Sequence, residues 1–162
     1  MLLDIEPIAA GHGCRVGAAG PLLVMVFDSE PHLEMLDVLD KAQAEHIARH
    51  GKMSGLTVIA MDKLESPGAE FRTRSKTLSD KHFGAIQSSA MVILTRGLAA
   101  VVVRTFLAGY QLLVHYDHPQ KTFRELGPAI EWLQGLEGQL PAVKGLPGLA
   151  AAVEAFVAKK PA

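Results

Sequence analysis

The sequence predicts an α/β fold, in which a small mixed, mostly parallel sheet carries helices packed on it. Two apolar runs, Leu22 to Phe27 and Leu56 to Met61, are short for buried helices and typical of core strands. Helical segments follow both runs, and strands that alternate with helices need crossover connections, which pair the strands in parallel. A chain of 162 residues, 49% of them hydrophobic, is long enough to build one core.

Further strands are predicted on both sides of these runs. The stretch Cys14 to Val16 is expected to pair with Pro21 to Asp28 through a turn at Gly17 to Gly20, which makes the antiparallel part of the sheet. Ser89 to Leu94 is a third apolar strand, and Lys121 to Arg124 a short fourth one.

The first helix is predicted to end at His50. Ser29 and Pro31 are start signals, and Gly51 is a stop signal. Its apolar residues recur at helical spacing: Met35, Val38, Leu39 and Ala42. This amphipathic helix is expected to lie on the sheet.

A more polar helix is predicted after the second core strand. Ser66 and Pro67 are typical of a helix cap and a first helical position. One side of this helix is less polar: Phe71, Ser75 and Leu78. It is also basic, with Arg72, Arg74, Lys76 and Lys81, which favours a solvated face over an anion site.

The C-terminal region is predicted to hold two more helices. The first covers Glu125 to Gln134 and the second Leu149 to Lys159. A stretch rich in Pro and Gly separates them and predicts a linker. We therefore divide the chain into an α/β domain at 1–136 and a linker with an extra C-terminal helix at 137–162.

The segment Leu98 to Val114 is apolar almost all the way round. It is slightly short for a membrane span, and Arg104, Thr105 and Gln111 interrupt it. A helix buried on more than one side is the better interpretation. One sheet face cannot cover so much apolar surface in a small domain, so we expect a homo-oligomer.

Composition excludes several classes of protein. A net charge of -1 does not favour nucleic acid as a partner. The single cysteine, Cys14, cannot form an internal disulfide, which indicates a reducing compartment. Met1 to Ala10 carries two acidic residues and does not resemble a secretory signal, so a cytoplasmic location is expected.

The order of elements resembles the SpoIIAA-like group of the STAS and SEC14-like superfamily. The most specific part is an apolar helix that contains an arginine, Val101 to Leu113, followed by Lys121 to Leu133. The latter segment is similar to the family's closing pattern, in which a short strand ends in Phe and an acidic helix start precedes an Ala-x-x-Trp-Leu helix. The resemblance covers about Pro21 to Leu133.

The resemblance implies a binding or regulatory module without catalysis. Relatives act as antagonists of anti-sigma factors, as parts of transporters, or as carriers of small apolar ligands. The antagonists have a phosphorylatable serine beside an aspartate after a core strand. Here Asp62 is followed by Lys63, and the nearest hydroxyl, Ser66, is more simply a helix cap. This departure disfavours control by phosphorylation.

The densest polar cluster is His115, Tyr116, Asp117 and His118. Imidazole and carboxylate are ligands for zinc or iron, so His115, Asp117 and His118 are weak candidates for a metal site in a small metal-dependent hydrolase. The alternative is that histidines gather at a helix C-terminus, where the helix dipole favours their charged form. Three ligands within four residues could converge on one metal ion only if the loop folded back on itself.

Two N-terminal features invite a catalytic or nucleotide-binding interpretation. His12 and Cys14 could form a base and a nucleophile, although a buried thiol is the simpler reading. The glycines at 11, 13, 17 and 20 precede a strand instead of linking a strand to a helix, which excludes a nucleotide fingerprint.

Our prediction is a non-enzymatic, homo-oligomeric module without a cofactor that binds a protein partner or a small apolar ligand. Ligands of α/β sheets usually lie beyond the carboxyl ends of the strands, near Asp28, Ser29, Asp62 and Ser66. Arg104, a cation in an apolar helix, must reach solvent, pair or hold a ligand. The alternatives are the hydrolase and a purely structural assembly protein.

Overall fold

The described part of the chain forms one six-stranded sheet. The computed structural model describes residues 3–61, 68–113 and 117–159, apart from the side chains of residues 110–113. The strands are β1 (Glu6–Gly11), β2 (Cys14–Ala19), β3 (Leu22–Phe27), β4 (Met53–Ile59), β5 (Ile86–Ile93) and β6 (Gln120–Phe123). They lie side by side in chain order. β1, β2 and β3 pair antiparallel, and β3 to β6 pair in parallel. The predicted α/β fold with a mixed sheet is confirmed.

Helices connect the parallel strands and follow the last one. They are α1 (Leu33–His50), α2 (Ala69–His82), α3 (Leu98–Leu113), α4 (Leu126–Gly135), α5 (Pro141–Lys144) and α6 (Leu149–Ala158), with a 3-10 turn at Phe83–Ala85. Their bounds lie close to those that periodicity predicts. The predicted linker after α4 contains α5, a single short helix. Ser66 and Pro67, the predicted start of α2, lie outside the described residues.

The sheet separates two apolar layers. On one face, α4, α5 and α6 pack against residues such as Val24, Val58 and Val92. On the other face, α1 packs against Val16, Leu23 and neighbouring residues, while α3 packs near the carboxyl ends of the strands. Alternate residues of β3 enter opposite layers, which is typical of a strand buried on both sides.

Strand β1 is an element that the sequence does not predict. Most of its residues are exposed, and it begins Glu6-Pro7 at the edge of the sheet, where proline is tolerated. The signal is therefore weak. His12 and Gly13 connect it to β2 with φ values of 51° and 84°, which is the conformation of a tight hairpin turn.

A buried polar network attaches the segment after α4 to the sheet. The Ser54 hydroxyl donates to Oε1 of Gln139 at 2.7 Å, and Nε2 of Gln139 donates to the Ser88 hydroxyl at 2.8 Å and to the Leu133 carbonyl at 2.8 Å. The two serine hydroxyls are 2.8 Å apart and share a hydrogen bond. Because each buried polar group has a partner, the network holds the segment without an unpaired group.

Arg15 attaches α6 to the opposite end of the same layer. Its guanidinium donates to both carboxylate oxygens of Asp28 at 2.7 and 2.9 Å. It also donates to the carbonyls of Phe156 and Val157 at 2.6 and 3.1 Å, and it lies 5.3 Å from the Phe156 ring. These carbonyls belong to the last turn of α6, which leaves them without partners inside the helix. One buried cation thus caps α6 and joins it to β2 and β3.

Helix α3 buries one side within the chain. Ala100, Val103 and Leu107 are buried, whereas Leu98 is 87% exposed and Val101 is 55% exposed. The described residues of this chain therefore bury α3 on one side, and not on the several sides that the sequence predicts. None of the described helices has both the length and the apolarity that a membrane crossing needs.

The Arg15 interactions predict a large effect on stability. Replacing Arg15→Met leaves the largely buried Asp28 carboxylate unpaired and removes the cap of α6. We expect the free energy of unfolding, measured by urea denaturation, to fall by about 3 kcal/mol. Lys76→Ala is the control, because it breaks an exposed ion pair and should cost about 0.5 kcal/mol or less. Equal losses in the two variants would contradict the role assigned to Arg15.

Candidate ligand-binding cavity

A cavity of about 220 Å³ lies between the sheet and helices α1, α2 and α3. Its lining is predominantly apolar. Five of the six methionines of the chain contribute to it: Met25, Met35, Met53, Met61 and Met91. Phenylalanines add to them: Phe27, Phe71, Phe83 and Phe106. Methionine side chains are flexible and polarizable, so a lining of this composition can adapt to the shape of an apolar molecule.

Gly55 in β4 lies on the floor of the cavity. Gly55 has no positive φ, so its backbone does not require glycine. A Cβ built on it would lie 3.6 Å from Cε of Met53 and 3.8 Å from Cε of Met25, which are ordinary contacts. A larger side chain at this position would therefore extend into the space between the two methionines.

Helix α2 forms the roof. Its less polar side, predicted from Phe71, Ser75 and Leu78, is the side that lines the cavity, together with Ser79. Only His82 is buried among the residues of this helix. Phe71 and Leu78 pack against the apolar layer below, and the small side chains of Ser75 and Ser79 leave room beside them.

Surface ion pairs connect α2 to α1. Arg74 donates to Asp37 at 2.9 Å, and Lys81 donates to Asp40 at 2.9 Å. His82 Nε2 lies 2.8 Å from the same Asp40 carboxylate. The hydrogen bond from Lys81 is the main reason why the pKa of Asp40 is lowered. The basic side of α2 therefore includes cations that are paired with the acidic side of α1.

The cavity has a polar cluster near β6, formed by Ser89, His118 and Gln120. Ser89 Oγ and Nε2 of His118 share a hydrogen bond of 3.0 Å. Ser89 lies beside Gln120 in the register of β5 and β6. The Phe83 ring packs on His118 with 5.7 Å between ring centroids. Burial lowers the pKa of His118 below its ordinary value, against the opposing charge of Asp117, so its imidazole is neutral near neutral pH.

The predicted metal candidates lie only partly in this region. His115 falls outside the described residues, and Asp117 is exposed. His118 lies in the cavity lining and bonds to Ser89. Among the described residues, no group of three or more His, Cys, Asp or Glu side chains is placed to hold a metal ion.

Of the other predicted site residues, the described ones, Asp28, Ser29 and Arg104, do not line the cavity. Asp28 accepts both hydrogen bonds from Arg15, and the Ser29 hydroxyl donates to the Glu30 carbonyl at 3.4 Å. Arg104 is exposed on α3. Asp62 and Ser66 lie outside the described residues. A ligand-binding role for these five stays a prediction.

Cys14 is a buried thiol. It is 2% exposed, and its Sγ donates to the Gly11 carbonyl at 3.3 Å. Burial, with a smaller contribution from the charge of Asp28, raises the pKa of Cys14 to about 11. The thiol therefore stays protonated at neutral pH, which disfavours a nucleophilic role.

Sequence reasoning missed Gly55 and Ser89 as cavity residues. Gly55 directly precedes the predicted strand Leu56 to Met61, and Ser89 is the first residue of the predicted strand Ser89 to Leu94. Their small side chains add nothing to the apolar pattern that predicts a strand. A glycine inside a strand is a signal for a close approach or a local gap in packing. The concentration of methionines at core positions is a second signal, because methionine is typical of adaptable binding surfaces.

Comparisons with protein-family models and with curated sequences identify no relative. The chain matches no protein-family model. No curated protein is significantly similar to it in sequence.

Proposed function

We propose that the protein is a non-enzymatic binding module that holds a small apolar molecule in the cavity between the sheet and α1, α2 and α3. The observation that carries this proposal is a cavity of about 220 Å³ with a mainly apolar lining. An engineered cavity of about 150 Å³ in another protein binds benzene. The cavity here is large enough for a small organic ligand by the same reasoning.

The proposal agrees with the resemblance to the STAS and SEC14-like superfamily, which includes carriers of apolar ligands. Two residues of the segment that carries the resemblance, Phe123 and Trp132, contact each other with 5.7 Å between ring centroids. They join β6 to α4. A shared fold would not by itself specify a ligand, so the cavity supports binding independently of the family. We also propose a cytoplasmic location, which the single unpaired Cys14 favours.

Filling the floor of the cavity should abolish binding. In Gly55→Leu, the new side chain would occupy the space between Met25 and Met53. We expect the affinity for N-phenyl-1-naphthylamine, a neutral apolar fluorophore, to fall by about tenfold or more, measured by fluorescence titration. The melting temperature should stay level or rise, because the side chain fills space in a strand that it suits.

Ala10→Leu is the matched control for this experiment. It adds the same kind of apolar side chain to a strand, but at an exposed position of β1. Its affinity for the fluorophore should equal that of the parent protein. A folded Gly55→Leu protein that binds the fluorophore as tightly as the control would show that the cavity is not the binding site.

A hydrolase is the second candidate, and the Ser89–His118 hydrogen bond of 3.0 Å favours it. A serine beside a neutral imidazole is the arrangement that activates a hydroxyl for attack. Turnover of p-nitrophenyl octanoate by the parent protein that disappears in His118→Ala would support the hydrolase over the binding module. Retained metal in the purified protein would instead support the metal-dependent form of that class.

We further propose that the outer side of α3 joins copies of this chain. Leu98 and Val101 are large apolar side chains exposed on this helix, and Arg104 is exposed beside them. Scattered exposed apolar residues are common, but a helix this apolar has few polar groups to solvate its outer side.

Native mass spectrometry tests the oligomer and the ligand together. We expect an oligomer for the parent protein and a monomer for the double variant Leu98→Asp with Val101→Asp, since two charges would be buried in the contact. Glu131→Asp on the exposed side of α4 is the control and should keep the parent's subunit count. A monomeric parent protein would contradict this proposal, whereas a large symmetric particle would favour an assembly role.

A further inference from the structure

The cavity lining is free of formal charge in the part of the chain that the structure describes. None of its described lining residues is Lys, Arg, Asp or Glu, although such residues make up 20% of the sequence. An ionised ligand group would lose its water without gaining an ion pair there, and that loss is large. This chemistry disfavours a carboxylate or phosphate inside the cavity.

Three hydrogen-bonding side chains of the lining lie together near β6. Ser89 and His118 are joined by a 3.0 Å hydrogen bond, and Gln120 is beside Ser89 in the neighbouring strand. Burial lowers the pKa of His118, so this end offers donors and acceptors without a charge near neutral pH. The other polar lining groups are Gln43 from α1, Thr57 from the middle of β4, and Ser75 and Ser79 from α2.

The end near the carboxyl ends of the strands is apolar. Phe71 from α2 and Phe106 from α3 pack with 6.4 Å between ring centroids. Apolar side chains from β4 and α3 surround this aromatic pair: Ile59, Val103 and Leu107. A hydrocarbon group placed there would be removed from water without leaving a polar group unpaired.

We propose that the ligand is a neutral amphiphile, with a hydroxyl or carbonyl group at Ser89, His118 and Gln120 and a hydrocarbon part directed toward Phe71 and Phe106. This inference rests on the proposed binding function and specifies the class of ligand. It excludes fatty acids in their ionised form, and it favours alcohols, amides, esters and ketones of similar size.

A matched pair of ligands tests the class. Octan-1-ol and octanoate have the same chain length and differ in charge at about pH 7.5, where the carboxyl group is ionised. By isothermal titration calorimetry, we expect the alcohol to bind at least about tenfold more tightly than the carboxylate. Ser89→Ala should weaken alcohol binding about fivefold, the value of one hydrogen bond.

A charge placed at the polar end should change this preference. Gln120→Lys introduces a cation at a lining position, so octanoate should bind at least about tenfold more tightly than it does to the parent protein. Thr122→Lys is the control, because Thr122 is an exposed residue of the same strand outside the lining. It adds the same net charge and should leave the preference for alcohol unchanged.

The outcomes separate this inference from the function on which it rests. Equal affinity of the parent protein for octan-1-ol and octanoate, with binding still blocked by Gly55→Leu, would overturn the neutral head group and keep the binding cavity. An unchanged preference in folded Gln120→Lys would place the head group elsewhere and also overturn the inference. Failure of both ligands and of the fluorophore to bind would overturn the proposed function itself.

Discussion

Burial of both faces of the central strands is the constraint on which the rest of this structure depends. In β3, Leu22, Val24 and Val26 enter one apolar layer, while Leu23 and Met25 enter the other. A strand without a polar side cannot lie at a solvated face, so helices must cover the sheet on both sides. The crossover helices of the parallel strands and the three C-terminal helices meet this requirement.

The two faces are covered in different ways. On the face of α4, α5 and α6, buried apolar residues pack together. Two buried hydrogen-bond networks, centred on Gln139 and Arg15, attach the C-terminal region to the sheet. The last helix therefore belongs to the packing of the sheet and is held at its C-terminal carbonyls. Breaking either arrangement would leave desolvated polar groups without partners, which makes this face specific as well as apolar.

The face of α1, α2 and α3 contains the cavity. Small residues lie on both sides of it, with Gly55 and Ser89 on the floor and Ser75 and Ser79 on the roof. At the surface, ion pairs to Asp37 and Asp40 connect α2 to α1. These ion pairs do not require close packing between α2 and the sheet.

The cavity affects the stability of the folded protein. Atoms that line a cavity lack some of the dispersion contacts of a packed core, so the cavity lowers stability unless it is occupied. A ligand that binds the folded state adds stability by mass action. Under the proposed binding function, ligand binding would therefore add stability in this layer, whereas the opposite layer is held by the Gln139 and Arg15 hydrogen bonds.

The sequence by itself determined the elements whose signals are local. The apolar run Leu22 to Phe27 specifies a buried strand, and the apolar stripe of α1 specifies an amphipathic helix. The alternation of such strands and helices along the chain predicts the mixed, mostly parallel sheet. The less polar side of α2 was likewise visible from spacing. The edge strand β1 was not, because exposed edge residues need no apolar pattern and the strand exists through pairing with β2.

Only the tertiary structure decided where the candidate site lies. Gly55 and Ser89 become neighbours because β4 and β5 pair in register, and His118 reaches Ser89 across 29 residues of chain. Asp28, which the sequence places at the end of a strand beside a predicted site, pairs with Arg15 instead. Such relations depend on which strands pair and which helices cover them, and no local periodicity records a contact between residues far apart in the chain.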